Sequence, residues 1–206
     1  MGRKKIISML VPLLLIAVIF ISIAEILYYT DRVKEEEAYD QLVKELEERE
    51  QSIAEYEQSY SRLVSEMLKD AVATEKCGNT IKSVWGNAIL KRHDDEADRY
   101  TMADGEFVED FNDALSALFS DEEFSSNLAE LSESQSSVRD RIKEISDPPE
   151  EYEEANKALE DMYRSYISFT DVVINCNGSF ESFCEEFANA DKEFCDSYNA
   201  VEAFMK

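Results

Sequence analysis

The stretch Tyr152-Glu-Glu-Ala155-Asn-Lys-Ala-Leu159-Glu-Asp-Met162-Tyr-Arg-Ser-Tyr166-Ile-Ser-Phe169-Thr-Asp-Val-Val173 decides the fold. Its numbered residues recur at strictly alternating steps of three and four, which lays one apolar stripe along an α-helix. A half-buried strand would instead repeat every second residue. Just upstream, Asp147-Pro148-Pro149-Glu150 stops the preceding helix and opens this one, because proline is tolerated in a first helical turn. Asn175 to Ser179, with Gly178, closes it as a turn.

The same spacing extends on both sides. Before the prolines runs Phe124, Leu128, Leu131, Gln135, Val138, Ile142 and Ile145, introduced by the capping pattern Ser120-Asp-Glu-Glu123. After the turn come Phe180, Phe183, Phe187, Phe194, Tyr198, Val201 and Met205. Each of these three helices is about 26 residues, or roughly 39 Å, long. Short links between helices of equal length make sequential neighbours antiparallel. A fourth wall comes from residues 53–92, with Ile53, Tyr56, Tyr60, Leu63 and Met67 on its stripe. Gly78 and Gly86 weaken that helix, and a break near Cys77-Gly78-Asn79 is expected to be tolerated. His93 to Gly105 reads as a polar loop. Glu106 to Phe119 reads as an extra helix, with Phe107, Phe111, Leu115 and Leu118 on one face. The fold expected is all-α, an elongated antiparallel bundle of about four helices over 53–206.

Residues 30–52 read as an acidic helical stalk with a thin line of Val33, Tyr39, Leu42 and Leu46. Before it, Ile6 to Ala24 contains no charge and as a helix would span roughly 28 Å, close to a bilayer's hydrocarbon core. Tyr28 and Tyr29 fall where an interfacial aromatic belt sits. Residues 6–29 are therefore expected to form a transmembrane anchor, with residues 1–5 inside. Arg3, Lys4 and Lys5 supply the topology signal that places the C-terminal domain outside the cell membrane. The alternative is secretion after cleavage at Ala24, since Ser22-Ile23-Ala24 suits a signal peptidase. The apolar run exceeds the usual signal core, which favours the anchor. A cytoplasmic segment of about five residues holds no output domain.

The chain carries 21 basic against 46 acidic residues, and 18 against 45 once Arg3, Lys4, Lys5 and Glu25 are set aside. Such a surface repels phosphate backbones, so nucleic acid is not an expected partner.

Few residues suggest chemistry. Cys77, Cys176, Cys184 and Cys195 are candidates for a disulfide or for buried thiols. Cys184 and Cys195 share one helix about 16 Å apart and cannot bond each other. No C-x-x-C spacing or supporting histidine suggests a metal. The one histidine, His93, reads as a solvated loop residue. Asp94-x-Glu96-x-Asp98 begins like a calcium loop but fails where glycine and glutamate are required, at Arg99 and Gly105. Asn177-Gly178-Ser179 matches a glycosylation sequon. Arg49, Asp70, Thr74 and Gln135 interrupt apolar lines and are expected to mark exposed or register-setting layers. With no nucleophile–base pair and no cofactor motif, no catalysis is expected.

Ser83-Val-Trp85-Gly-Asn-Ala-Ile89, Phe107 to Phe119, and Asp147-Pro-Pro-Glu-Glu-Tyr152 resemble a group of short single-span, surface-anchored helical proteins of Gram-positive bacteria. The resemblance covers roughly residues 60–205 and implies the same topology, with no activity and no site residue attached. The expected role is an interaction or structural module with a protein partner. Alternatives are a small-molecule-sensing ectodomain signalling through a partner, or an envelope or cell-division coiled-coil factor.

Overall fold

The computed structural model describes the backbone of residues 3–205 and the side chains of residues 20–205. Its elements are α1 (Arg3–Leu90), α2 (Asp98–Thr101), β1 (Met102–Ala103), β2 (Glu106–Phe107), α3 (Phe111–Ser120), α4 (Glu122–Glu144), a 3-10 turn (Glu150–Tyr152), α5 (Glu153–Ile174) and α6 (Phe180–Glu202). Two units separate, Met1–Ile53 and Ala54–Lys206.

In the first unit nearly every described side chain is exposed, with Val33, Val43 and Ile53 half-covered. Among the described residues no helix is long and apolar enough to cross a membrane. Arg3, Lys4, Lys5 and residues 6–19 of the expected anchor lie outside the described side chains.

The second unit is a four-helix bundle of the last part of α1 with α4, α5 and α6. Cross-helix contacts fix the directions. Asp70 of α1 meets Ser134 of α4, and Glu66 meets Arg141, so these two helices are antiparallel. Gln135 of α4 reaches Thr170 of α5, while Arg139 reaches Tyr163, again antiparallel. Ser165 pairs with Ser197 and Phe169 packs on Phe187, reversing α6 against α5. Tyr56 bonds Asn156 and Asp70 bonds Tyr166, so α1 and α5 run the same way. The stripes read from sequence form the core: Leu63, Met67, Leu159, Met162, Tyr166, Phe169 and Phe183 are all at most 1% exposed.

Helix ends follow local chemistry. Asp121, rather than Ser120, caps α4 by accepting from the Phe124 N–H at 3.0 Å. Ser179 and Ser182 form a reciprocal capping box at α6.

Three expectations are corrected. α1 runs unbroken through Gly78, because the glycine's missing side chain leaves room for Phe187: a Cβ there would lie 2.0 Å from the ring. Similarly, Gly86 faces Phe180, whose ring also meets Trp85 at 5.8 Å. Second, His93 to Gly105 is not all loop. It contains α2 and most of an antiparallel hairpin, Met102 opposite Phe107, turned at Asp104 and Gly105 with φ of 54° and 86°. Two left-handed residues are what a tight two-residue hairpin turn demands, and Asp-Gly supplies them. Third, the extra helix begins at Phe111, capped by Asp110, so Phe107 belongs to a strand.

Candidate functional site

The polar residues that interrupt the apolar lines come first. Asp70 is 8% exposed, and its Oδ2 accepts from Tyr166 at 2.8 Å and from Ser134 at 2.5 Å. Thr74 turns its hydroxyl back to the Asp70 carbonyl at 2.8 Å. Gln135 Nε2 donates to Thr170 Oγ1 at 2.5 Å and to Asp171 Oδ1 at 3.0 Å. Asp70 thus ties α1 to α4 and α5, and Gln135 ties α4 to α5, while Thr74 bonds only within α1. Arg49 lies in the first unit and is exposed. Burial pushes the Tyr166 phenol well above its ordinary value, reinforced by the Asp70 carboxylate.

Tyr60 is different. Its hydroxyl is buried without a hydrogen-bond partner, and burial pushes its phenol up to about 12. A group holding its proton more tightly when folded contributes stability that is intact below its unfolded value near 10. That stability is lost as pH rises towards 12. Alkaline unfolding followed by circular dichroism is therefore expected within that window. Tyr60→Phe should move the midpoint to higher pH, and an unmoved midpoint would count against the assignment.

A cleft of about 670 Å³ opens in the second unit between α1, α2 with the residues before it, and the start of α4. Cys77, Val84 and Phe124 give it an apolar floor, each at most 5% exposed. Lys76 and Arg99 bring positive charge, while Asp95, Glu96, Asp121 and Glu123 bring negative charge. Asn79, Thr80, Ser83 and Asn127 add neutral polar groups. Tyr100 also lines it. This residue is 7% exposed, with its hydroxyl shielded from solvent beside the Asp121 carboxylate. The Arg99 guanidinium lies 4.5 Å from the Tyr100 ring centre and only 4.0 Å from Asp121, a loose ion pair on a mostly exposed side chain. Burial raises the Tyr100 phenol, with Arg99 opposing and Asp121 adding to the shift. Cavities of this size with an apolar base and a few convergent polar groups are the usual form of small-molecule sites.

The acidic run beside the cleft is occupied with its own backbone. Asp94 Oδ1 accepts from the N–H groups of Glu96 and Ala97, and Asp98 Oδ1 from that of Asp94. His93 Nδ1 sits 3.0 Å from Asp98 Oδ2, which holds the Asp98 carboxyl below the usual range. Among the described residues no cluster with metal-binding geometry occurs.

The four cysteines are free. Cys77 is buried, and burial raises its thiol. Cys176 and Cys184 are half-buried, with burial pushing Cys176 up to about 11. Cys195 is exposed rather than buried, 3.9 Å from Asp191 Oδ1.

Comparison with protein families, with curated proteins and with solved structures finds no match. The geometry therefore carries the functional argument alone. Sequence reasoning missed Tyr100, although it is the only aromatic residue in the polar stretch from His93 to Gly105. A lone large apolar ring among acids is a signal that something covers it.

Proposed function

We propose that this protein is a membrane-tethered helical bundle on the outer face of the cell membrane that acts by binding a protein partner. The observation that carries the reading is the bare apolar surface of α1. Phe20, Ile21, Ile23, Ile26, Leu27, Tyr28 and Tyr29 stand 48–71% exposed. At 100° per residue they surround the helix on all sides, a distribution suited to lipid and not to water. Beyond them Tyr39, Leu42 and Leu46 form a single exposed line at 51–66%, spaced like a coiled-coil seam. Arg3, Lys4 and Lys5 set the orientation. A surface this acidic keeps the bundle clear of anionic headgroups and of other copies of itself.

The test is alkaline carbonate washing of native membranes, with the intact mass of the recovered chain. The protein should stay in the pellet with residues 1–24 present. Recovery of a shorter chain in the soluble fraction would replace the tether with cleavage at Ala24. Proximity labelling then compares the natural chain with the double variant Leu42→Lys, Leu46→Lys. The variant should lose its dominant protein neighbour while the bundle melts unchanged. Identical labelling by both chains would remove the seam from the proposal.

A second reading, a small-molecule-sensing ectodomain, is favoured by the cleft around Tyr100.

A further inference from the structure

We propose that the exposed seam of the first unit pairs with an amphipathic helix of another protein, one with leucine-like residues on its apolar line and lysine or arginine on both flanks. The inference rests on the reading of that seam as a protein-binding face and names the chemistry of what binds there. Tyr39, Leu42 and Leu46 stand 66, 53 and 51% exposed, with Val43 half-covered beside them. In a heptad with Tyr39, Leu46 and Ile53 at a, the d positions are Leu42 and Arg49. Upstream, Arg32 and Glu35 occupy a and d and end the apolar line. The flanking positions follow from that register. Those at e are Glu36, Val43 and Glu50, and those at g are Asp31, Ala38, Glu45 and Ser52. Every charged flank is acidic, and each of these acids is exposed. The bases of the stretch lie elsewhere. Lys34 and Lys44 stand at c and f on the far side, where Lys44 pairs with Glu48 at 3.5 Å, and Arg32 and Arg49 stand on the line itself.

This charge pattern decides among the occupants. A second copy of the chain running parallel would set g of one helix against the following e of the other. That juxtaposes Asp31 with Glu36 and Glu45 with Glu50, acid on acid at each charged layer. Turned antiparallel, with Leu42 against Leu46, two copies would set Glu45 against Glu45 and Glu36 against Glu50. Self-pairing is thus opposed in both directions. An anionic lipid surface is opposed as well, since a helix lying on it needs bases, not acids, beside its apolar line. A helix with bases at e and g instead meets each of those acids with the opposite charge, while its apolar line covers Tyr39, Leu42 and Leu46. The line is only about two heptads long, so the contact is weak in solution. The flanking charge pairs contribute selectivity more than affinity.

Fluorescence anisotropy with the full chain in neutral detergent micelles tests this, with protein-free micelles as the blank. Labelled synthetic helices of about three heptads serve as probes, all with leucine at a and d. The first carries lysine at e and g, and the second glutamate at e and g. A third has the first one's composition with its lysines moved to b and c. The first should bind at least about tenfold more tightly than either of the others. Glu45→Lys with Glu50→Lys, two exposed changes, should reverse the order so that the glutamate helix binds best. Leu42→Lys with Leu46→Lys should remove binding of the first helix. Equal binding by the two lysine helices would mean diffuse attraction to a chain of net charge −25 and would overturn the proposal. So would no binding by any helix up to about 1 mM, or sedimentation of the full chain as a dimer that Leu42→Lys with Leu46→Lys abolishes. Should proximity labelling still depend on Leu42 and Leu46 while the lysine helix shows no preference, the seam keeps its protein partner and the basic chemistry proposed for it falls.

Discussion

Replacing Gly78 by alanine is expected to lower the melting temperature of the protein by about 5–10 °C. Within a helix the same change would ordinarily stabilise, since alanine exceeds glycine by about 1 kcal/mol in helix propensity. Here the new methyl would lie 2.0 Å from Phe187 Cε2, so the ring has to leave. Phe187 is 4% exposed and is packed on Phe169 and Phe183, with centroid separations of 5.4 and 5.9 Å. Moving it disturbs the whole aromatic seam of α6, at an overpacking cost of about 1–3 kcal/mol or more. The double variant Gly78→Ala, Phe187→Ala distinguishes this from a generic helix effect. Once the ring is gone the methyl fits, so the two changes together should cost clearly less than their sum. Additive losses would mean that Gly78 and Phe187 do not contend for one space.

The second large effect concerns the buried polar layer. Asp70→Ala strands the Tyr166 hydroxyl in the core, takes the acceptor from the half-buried Ser134, and is expected to cost about 2–4 kcal/mol by chemical denaturation. Tyr166→Phe should cost less, because Ser134 still donates to the carboxylate. The triple variant Asp70→Leu, Ser134→Ala, Tyr166→Phe removes donors and acceptor together. It should fall within about 1 kcal/mol of the natural protein, since no group is left unpaired. A triple variant as unstable as Asp70→Ala would show that volume, not hydrogen bonding, governs this layer.

How far the sequence revealed these features depends on the distance between the residues involved. The stripe from Tyr152 to Val173 was readable because a helix writes its buried face into a local period. Asp70 and Gln135 were visible as polar interruptions of such stripes, but their partners Tyr166 and Thr170 lie on another helix and leave no local mark. Gly78 looked like a weak point for the same reason: Phe187, which needs the space, is far away in the chain. The hairpin was misread because Phe107 and Phe111 stand four apart and imitate a helix face. Asp104-Gly105, a strong turn signal, lay inside what appeared to be plain loop. The cleft was the least legible feature. It exists only because α2 folds back beside α1 and the start of α4, and no pattern along one segment encodes that return.

The opposed directions of the bundle helices carry a mechanical consequence. In the second unit α1 enters at Ala54 at the end where α5 begins and towards which α6 runs, while the hairpin and α3 lie near Trp85 at the other end. A pull between Ala54 and the hairpin runs through α1 itself and loads that helix lengthwise, in shear against α4 and α6 as it extends. A pull between Ala54 and the C-terminus instead peels α6 away one turn at a time. Resistance to force is governed by the unfolding rate, and shear must break many contacts at once where peeling breaks few. A partner gripping the hairpin end would meet a stiff strut, and one gripping the tail a zip.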